Sequence, residues 1–291
     1  MATSLKRERE RSESAKGPRG LGKKPKVAPK SAASGPLDNP IRPGLLSDAS
    51  ITLHRAQHDS SGPYRHVIVD NLCKEDRMRK VHEECVHTMK TSYKETDLFK
   101  VYQTGDLAAL GMEGAKDTPE LLALRTALYG PEFRAFVSRI TGVDDLTDRV
   151  DCSANAYTQG CHLLCHDDVI GTRRVSYIIY ITDPDEGWTA ADGGALELYP
   201  LHDDPATRTI TKVLNNSSMC EIEQGIPATR PTGSVLPNFN RMALFAVQPG
   251  RSYHSVQEVY APDKVRLSIS GWYHGPCPPL GSDQASLAQV M

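Results

Sequence analysis

Residues 163–181 read LLCHDDVIGTRRVSYIIYI, and this stretch carries most of the information about the fold. Its last part, from Val175 to Ile181, is a long run of β-branched and aromatic residues, which favours a buried strand. Its first part is apolar and leads into the triplet His166-Asp167-Asp168. On an extended chain the first and third residues of a triplet point to the same side. The His166 imidazole and the Asp168 carboxylate can therefore converge on one point.

The pattern around this stretch predicts a helical N-terminal half and a β-rich C-terminal half. Helices are predicted at 74–92 and 118–141, the second interrupted at the pair Gly130-Pro131. Residues 215–240 show no clear pattern and are interpreted as a long insertion that acts as a lid or mobile loop. Many short strands favour a sandwich or barrel, with the helices against one face. The predicted strands are 65–71, 152–158, 162–166, 174–182, 194–201, 208–214, 242–247, 254–259 and 265–273.

Composition divides the 291 residues into a body and two tails. Residues 1–45 are rich in Lys, Arg, Ser, Gly and Pro and are predicted to be a disordered basic tail. An ordered body is expected from 46 to 276, followed by a tail at 277–291. Residues 1–30 hold ten Lys/Arg and three Asp/Glu, whereas the remainder holds 24 and 33. The mildly acidic body argues against direct sequence-specific binding of nucleic acid.

Localisation follows from the same features. The basic cluster at 22–26 is a candidate nuclear-import signal, although a merely solubilising tail is the alternative. No run of 18 apolar residues occurs, so no membrane partner is expected. Seven scattered cysteines favour reduced thiols rather than a disulfide framework. We predict a nuclear and/or cytoplasmic protein.

A second histidine far along the chain can complete a metal site with His166 and Asp168. His254 follows Asp168 by 86 residues and opens the predicted strand at 254–259. Two imidazoles and one carboxylate on one face of an octahedron form the facial triad of non-haem iron(II) oxygenases, which leaves positions open for cosubstrate and oxygen. We predict that His166, Asp168 and His254 bind the metal.

Two other histidines are alternatives. The triplet at 202–204 repeats the His-x-Asp pattern, but it follows a Tyr-Pro pair and precedes Pro205, where Asp-rich turns are ordinary. His274 is the rival for the distal ligand, but no arginine follows it. A following arginine matters because it can bind the cosubstrate, and Arg266 lies twelve residues after His254.

Arg266 is predicted on the next strand of a hairpin-like pair with His254, within reach of the metal pocket. A guanidinium in an apolar pocket is costly unless it meets a carboxylate. The distal carboxylate of 2-oxoglutarate is such a partner, and the planar guanidinium matches it with two hydrogen bonds. Tyr180, fourteen residues after His166, can add a hydroxyl to the same carboxylate.

Three segments of the chain resemble a known family. They are LLCHDDVIGTRRVSYIIYI at 163–181, GGALELYP at 193–200 and RLSISGWYHGP at 266–276. They are similar to the catalytic domain of the ribosomal prolyl 3-hydroxylases of the OGFOD/Tpa/Ofd type, which are iron(II)- and 2-oxoglutarate-dependent oxygenases. The resemblance extends from about residue 60 to 276.

The resemblance implies an α+β fold whose core is a double-stranded β-helix, or jelly roll. It implies iron ligation by His166, Asp168 and His254, and 2-oxoglutarate binding by Tyr180 and Arg266. For substrate contact we predict Trp272 and Asp167.

The implied reaction is 3-hydroxylation of a proline in the small-subunit ribosomal protein S twelve, with an effect on translation termination or accuracy. It needs iron(II), 2-oxoglutarate and O2, with ascorbate as reductant. The better-known relatives carry a second β-helix domain after the catalytic one, which this sequence does not reach.

Two alternative functions remain open. The first is the same oxygenase chemistry on another protein or on a nucleic-acid substrate. The second is a catalytically inert β-helix that serves as a scaffold for a partner.

Overall fold

The computed structural model describes residues 38–110, 116–215 and 218–282. In these ranges the chain forms four α-helices, thirteen strands and a few short 3₁₀ turns. The helices are α1 (Asp48–Ser60), α2 (Glu75–Thr88), α3 (Pro119–Tyr129) and α4 (Pro131–Thr141). None of the described helices is long and apolar enough to cross a membrane.

The strands follow the predicted pattern, with four additions. In chain order they are β1 (His66–Asp70), β2 (Ser92–Glu95), β3 (Phe99–Gln103), β4 (Cys152–Tyr157), β5 (His162–His166), β6 (Arg173–Tyr180), β7 (Leu196–Leu198), β8 (Arg208–Asn215), β9 (Ser218–Gly225), β10 (Gly233–Val235), β11 (Arg241–Ala246), β12 (His254–Val256) and β13 (Arg266–His274).

One antiparallel sheet of eleven strands forms the core of the fold. Its order is β1-β11-β6-β13-β4-β3-β5-β12-β7-β10, with β2 added beside β3. Strand β3 pairs with both β4 and β5, so it joins the half that contains β6 and β13 to the half that contains β5 and β12. This curled antiparallel half-barrel confirms the predicted jelly-roll class of fold.

Strand β6 shows how the sheet separates the core from the site. Val175, Tyr177 and Ile179 belong to the cluster that packs against α2, α3 and α4. Ile178 and Tyr180 belong to a different cluster, on the opposite face. Side chains alternate between the two faces of a strand, so the helices cover one face and leave the other to line the interior of the curl.

The predicted break between α3 and α4 is present. Gly130 lies between them in an extended conformation, and Pro131 starts the next helix. Proline suits the first helical turn because its missing N–H has no helical partner there. The two helices therefore form a corner, and Phe133 and Phe136 of α4 are buried against the sheet.

Three sequence predictions need correction here. The segment 215–240 is not a patternless insertion, because β9 pairs with β8 over its full length and β10 pairs with β7. Strands β12 and β13 are not hairpin partners: β12 pairs with β5 and β7, whereas β13 pairs with β4 and β6. Residues 257–265 thus carry the chain from one half of the sheet to the other.

The third correction concerns the start of the ordered body. Ile41 and Leu45, assigned to the tail, are buried in the core, and α1 begins at Asp48. The basic cluster at 22–26 and the rest of the predicted tail up to residue 37 lie outside the described residues. So do residues 283–291 of the predicted C-terminal tail.

Candidate metal centre and cosubstrate pocket

Three predicted ligands meet inside the curl of the sheet. His166 ends β5 and His254 begins β12, and these two residues are register partners of the paired strands. Asp168 lies two residues beyond β5. One potential ligand atom from each of the three lies within 4.8 Å of the others, and all three residues are buried. Within the described ranges this is the one group of three or more His, Cys, Asp or Glu residues able to hold a metal ion.

Each histidine is oriented by the backbone two residues before it. The Nδ1 atom of His166 lies 2.8 Å from the carbonyl oxygen of Leu164, and that of His254 lies 2.8 Å from the carbonyl oxygen of Ser252. A carbonyl oxygen can only accept, so both Nδ1 atoms donate. In the neutral form of either ring the lone pair then resides on Nε2, the atom that faces Asp168.

The Asp168 carboxylate is enclosed by these two rings. Its Oδ1 lies 3.3 Å from Nε2 of His166, and its Oδ2 lies 3.4 Å from Nε2 of His254. Burial alone would raise the pKa of Asp168, but the charges and hydrogen bonds of His254 and His166 hold the pKa well below its ordinary value. The site therefore keeps an anionic carboxylate beside two imidazoles, which is a donor set suited to iron(II).

The backbone of Asp168 explains how its carboxylate reaches this position. Its φ is +62°, in the left-handed region that few residues other than glycine adopt. Aspartate tolerates this conformation better than most side chains do. Asp168 lies in the loop between β5 and β6, and in this conformation its carboxylate lies beside His166 at the end of β5.

Arg266 lies in the same cavity and lacks an anionic partner. It is 1% exposed, donates from Nε to the carbonyl oxygen of Gly194 at 2.6 Å, and donates from Nη1 to Ser268 at 3.3 Å. Its Nη2 and the hydroxyl of Tyr180 are buried without a hydrogen-bond partner. The guanidinium carbon lies 5.1 Å from the centre of the Tyr180 ring. No carboxylate of the described residues forms an ion pair with it.

A small dicarboxylate could pair with Arg266 at one end of this cavity and bind a metal held by the triad at the other. A buried guanidinium without an anion is costly, so the unpaired Nη2 and the nearby hydroxyl mark a place for a carboxylate. The cavity, about 310 Å³, is lined by Arg266 at one side and by His166, Asp168 and His254 at another. The residues present therefore fit a metal ion together with a small anionic cosubstrate.

Comparison with known proteins identifies a family for the part of the chain that contains this cavity. Residues 152–226 and 216–274 match the family described as the 2OG-Fe(II) oxygenase superfamily. Residues 152–274 form a 2OG-Fe(II) oxygenase domain. Iron(II), 2-oxoglutarate and O2 are the metal and cosubstrates that this family implies.

Two curated relatives extend the similarity beyond this oxygenase domain. The chain is 46% identical over 215 residues to the prolyl 3,4-dihydroxylase OGFOD1 of Ostreococcus tauri, which covers 73% of the chain and 38% of the relative. It is 30% identical over 224 residues to the prolyl 3-hydroxylase OGFOD1 of Mus musculus, which covers 77% of the chain and 35% of the relative. The chain thus spans less than two fifths of the length of either.

A solved structure supports the fold alone. The oxidoreductase of the 2OG-Fe(II) oxygenase family from Burkholderia pseudomallei aligns with a TM-score of 0.50 and 13% identity. The alignment covers 78% of this chain and 92% of that one.

The two alternative histidines lie outside this cavity. His202 accepts a hydrogen bond from the backbone N–H of Asp204, whose carboxylate in turn accepts from the N–H of Ala206, so the second triplet forms a turn. His274 is buried between Thr172 and Asp151, at 2.9 Å from each. Both histidines thus form hydrogen bonds with other residues outside the metal cavity.

The two residues predicted to contact substrate have different environments. Trp272 lines the cavity. Asp167 is fully buried and is not among the cavity-lining residues; its carboxylate accepts from the backbone N–H groups of Val169 and Gly250. We therefore correct the prediction for Asp167, because its hydrogen bonds tie two loops together instead.

Sequence reasoning missed two residues of the oxygenase domain that face the cavity from β4. Asn155 donates to Ser270 and accepts from Gln103, each at 2.8 Å. Tyr157 lies under Arg266, whose guanidinium carbon is 4.9 Å from the ring centre. The signal was present, because both belong to one alternating face of a buried strand, where a polar residue such as asparagine needs a reason.

Proposed function

We propose that this chain is an iron(II)- and 2-oxoglutarate-dependent prolyl hydroxylase. In this proposal His166, Asp168 and His254 bind the iron, while Arg266 and Tyr180 hold the distal carboxylate of 2-oxoglutarate. The observation that carries the assignment is a pair of buried, unpartnered polar atoms. One is Nη2 of Arg266, which lines the cavity with the triad, and the other is the hydroxyl of Tyr180, whose ring centre lies 5.1 Å from the Arg266 guanidinium carbon.

Each residue has a defined part in this chemistry. The two imidazoles present Nε2 because their Nδ1 atoms are already bonded, and the triad leaves coordination positions open. Arg266 can form two parallel hydrogen bonds with a carboxylate, which fixes the cosubstrate in one orientation. When bound, iron(II) with 2-oxoglutarate supplies O2 activation for C–H hydroxylation, yielding succinate and carbon dioxide. The protein orients the reactants and limits access of water.

The substrate part of the proposal rests on the relatives and on the shape of the site. The curated relatives are named as prolyl 3-hydroxylase and prolyl 3,4-dihydroxylase. Leu98, Phe99 and Ile170 give the cavity apolar walls against which a prolyl ring can pack. We propose a protein substrate with a prolyl residue that is attacked at carbon 3. Ribosomal protein S twelve, with a consequence for translation, is the specific candidate, in the nucleus and/or the cytoplasm.

A coupled turnover assay tests the proposal. The purified chain is incubated with iron(II), 2-oxoglutarate, ascorbate and a peptide that spans the decoding-centre proline loop of this ribosomal protein. We expect succinate formation and a mass gain of about 16 units per hydroxyl on proline, both abolished by chelation of the metal. A peptide with alanine in place of the proline is the matched substrate control.

Two variants separate the metal sites in the same assay. His166→Ala should abolish turnover, whereas His202→Ala, in the other His-x-Asp triplet, should leave it unchanged. Succinate formation without a mass gain would redirect the search to another protein or a nucleic acid. Bound iron and 2-oxoglutarate without any turnover would favour the inert scaffold.

A further inference from the structure

Two side chains outside the triad hold one oxygen of the Asp168 carboxylate. Oδ2 accepts a hydrogen bond from the Ser176 hydroxyl at 2.7 Å and another from the Trp272 indole N–H at 3.0 Å. Ser176 on β6 and Trp272 on β13 are register partners, so the pairing of these strands places both donors side by side.

These two bonds leave the other oxygen available. A carboxylate oxygen has two lone pairs in its plane, and these two donors use both of them on Oδ2, which also lies 3.4 Å from Nε2 of His254. Among the side chains described, Oδ1 has contacts only with Nε2 of His166 at 3.3 Å and, more distantly, with Arg173 at 4.0 Å. Oδ1 is therefore the oxygen free to bind a cation.

The Trp272 ring is itself fixed from one side. The guanidinium carbon of Arg173 lies 3.4 Å from the centre of the indole, in cation–π geometry. The same guanidinium approaches Asp151, with Nε 3.7 Å from its Oδ2. The stack restricts rotation of the indole, and a positive charge over the ring makes its N–H a better donor.

We infer that Trp272 is a positioning residue for the metal centre: with Ser176 it immobilises Oδ2 of Asp168, so that the carboxylate binds the metal through Oδ1 alone. The inference rests on the proposed function, because it takes the triad to be the metal site. It also gives Trp272 a role that does not depend on the substrate. An indole that only lined the substrate cavity would affect peptide binding and leave the affinity for metal unchanged.

Metal binding without substrate therefore provides the test. The probe is Co(II) alone, titrated into the metal-free protein and followed by calorimetry and by its visible absorption spectrum. Trp272→Phe keeps an aromatic ring under Arg173 but removes the N–H. We expect its affinity for Co(II) to fall by about 10- to 100-fold, the usual effect of losing a partner of a metal ligand. We also expect an altered spectrum, because a released Oδ2 can join the coordination sphere.

The matched control is Trp188→Phe, at the only other tryptophan in the chain. Its indole N–H donates to the carbonyl oxygen of Gly193 at 2.8 Å, so the substitution loses a comparable hydrogen bond away from the carboxylate. Its Co(II) affinity and spectrum should match those of the unaltered protein. Ser176→Ala removes the second donor and should weaken Co(II) binding similarly, whereas Ser176→Thr keeps the hydroxyl and should restore it.

The outcomes distinguish this inference from the proposed function. Unchanged Co(II) binding in Trp272→Phe and Ser176→Ala, with loss of binding in His166→Ala, would overturn the inference and leave the metal site standing. Co(II) binding that is absent, or that survives in His166→Ala, would overturn both. If Trp272→Phe does not fold, as circular dichroism would show, the contrast between the two Ser176 variants decides the question.

Discussion

At the scale of single residues, the unpaired Nη2 of Arg266 gives the clearest quantitative expectation. Arg266→Ala should weaken 2-oxoglutarate binding by at least about 100-fold, because two hydrogen bonds to a charged carboxylate are lost. Metal affinity should not change, since Arg266 contacts none of the triad. Tyr180→Phe removes only one hydrogen bond and should have a smaller effect. Calorimetry with Mn(II) in place of iron measures both affinities, and an unchanged affinity for 2-oxoglutarate would remove Arg266 from the site.

Gly194 supports Arg266 and provides a second prediction at this scale. Its φ is +69°, and a Cβ there would lie 3.1 Å from Cδ of Arg266 and 3.1 Å from Cγ2 of Val259. Gly194→Ala should therefore cost about 1–2 kcal/mol of stability for the left-handed conformation and should also displace the arginine. Weaker binding of 2-oxoglutarate should accompany the lower melting temperature.

The matched control for Gly194→Ala is Gly44→Ala. Gly44 also has a left-handed backbone, with φ +80°, but a Cβ there meets nothing within 4 Å. The control should lose stability for the backbone strain alone and keep its affinity for 2-oxoglutarate. Equal affinities for the cosubstrate in both variants would show that Gly194 does not position Arg266.

At the scale of elements, strand β6 shows what the sequence could predict. Its apolar run predicted a buried strand, which the structure contains, with Val175 and Tyr180 on opposite faces. The spacing from His166 was enough to select Tyr180 as a candidate.

The pairing of strands was beyond such reasoning. β9 lies in a stretch without clear alternation, and its strand form depends on pairing with β8. β12 and β13 follow one another in the chain but pair elsewhere, because the curl of the sheet sends them to different halves. Ser176 went unnoticed for the same reason, since its importance depends on β13 becoming the neighbour of β6.

Helix α1 provides a prediction about pH. His58, in its last turn, is 1% exposed, and burial lowers its pKa below the ordinary 6.5 even though Asp59, 3.1 Å away, opposes this effect. The unfolded chain then binds a proton near pH 6.5 while the folded chain does not. The contribution of neutral, buried His58 to the free energy of unfolding is therefore fully present above pH 6.5. It is lost as the pH falls through the lower pKa of His58 in the folded state.

The variant His58→Gln isolates this effect. Urea unfolding at a series of pH values should show a smaller decline in the free energy of unfolding below pH 6.5 for the variant than for the unaltered chain. Parallel curves for the two proteins would mean that His58 titrates alike in the folded and unfolded states.

At the scale of the whole molecule, the site is built from both halves of the curled sheet. Arg266 comes from β13 in one half, and His166 and His254 come from β5 and β12 in the other. Ligands that connect these residues bind the folded chain and not the unfolded one. Saturating Mn(II) and 2-oxoglutarate should each raise the melting temperature, with about 2.7 kcal/mol gained at a ligand concentration 100 times its dissociation constant.

The same thermal experiment has an internal control. A chelator should reverse the stabilisation by Mn(II), and Arg266→Ala should keep the stabilisation by Mn(II) but lose that by 2-oxoglutarate. Stabilisation by 2-oxoglutarate that persists in this variant would place the cosubstrate elsewhere on the molecule.

The most direct measurement is a crystal structure of the chain grown without oxygen in the presence of Mn(II) and 2-oxoglutarate, with the metal located by its anomalous scattering. The account predicts one manganese bound by His166, Asp168 and His254. It also predicts a cosubstrate whose distal carboxylate accepts from Nη2 of Arg266 and from the Tyr180 hydroxyl. Manganese at the triplet 202–204, or a cosubstrate that leaves Arg266 unpaired, would contradict it.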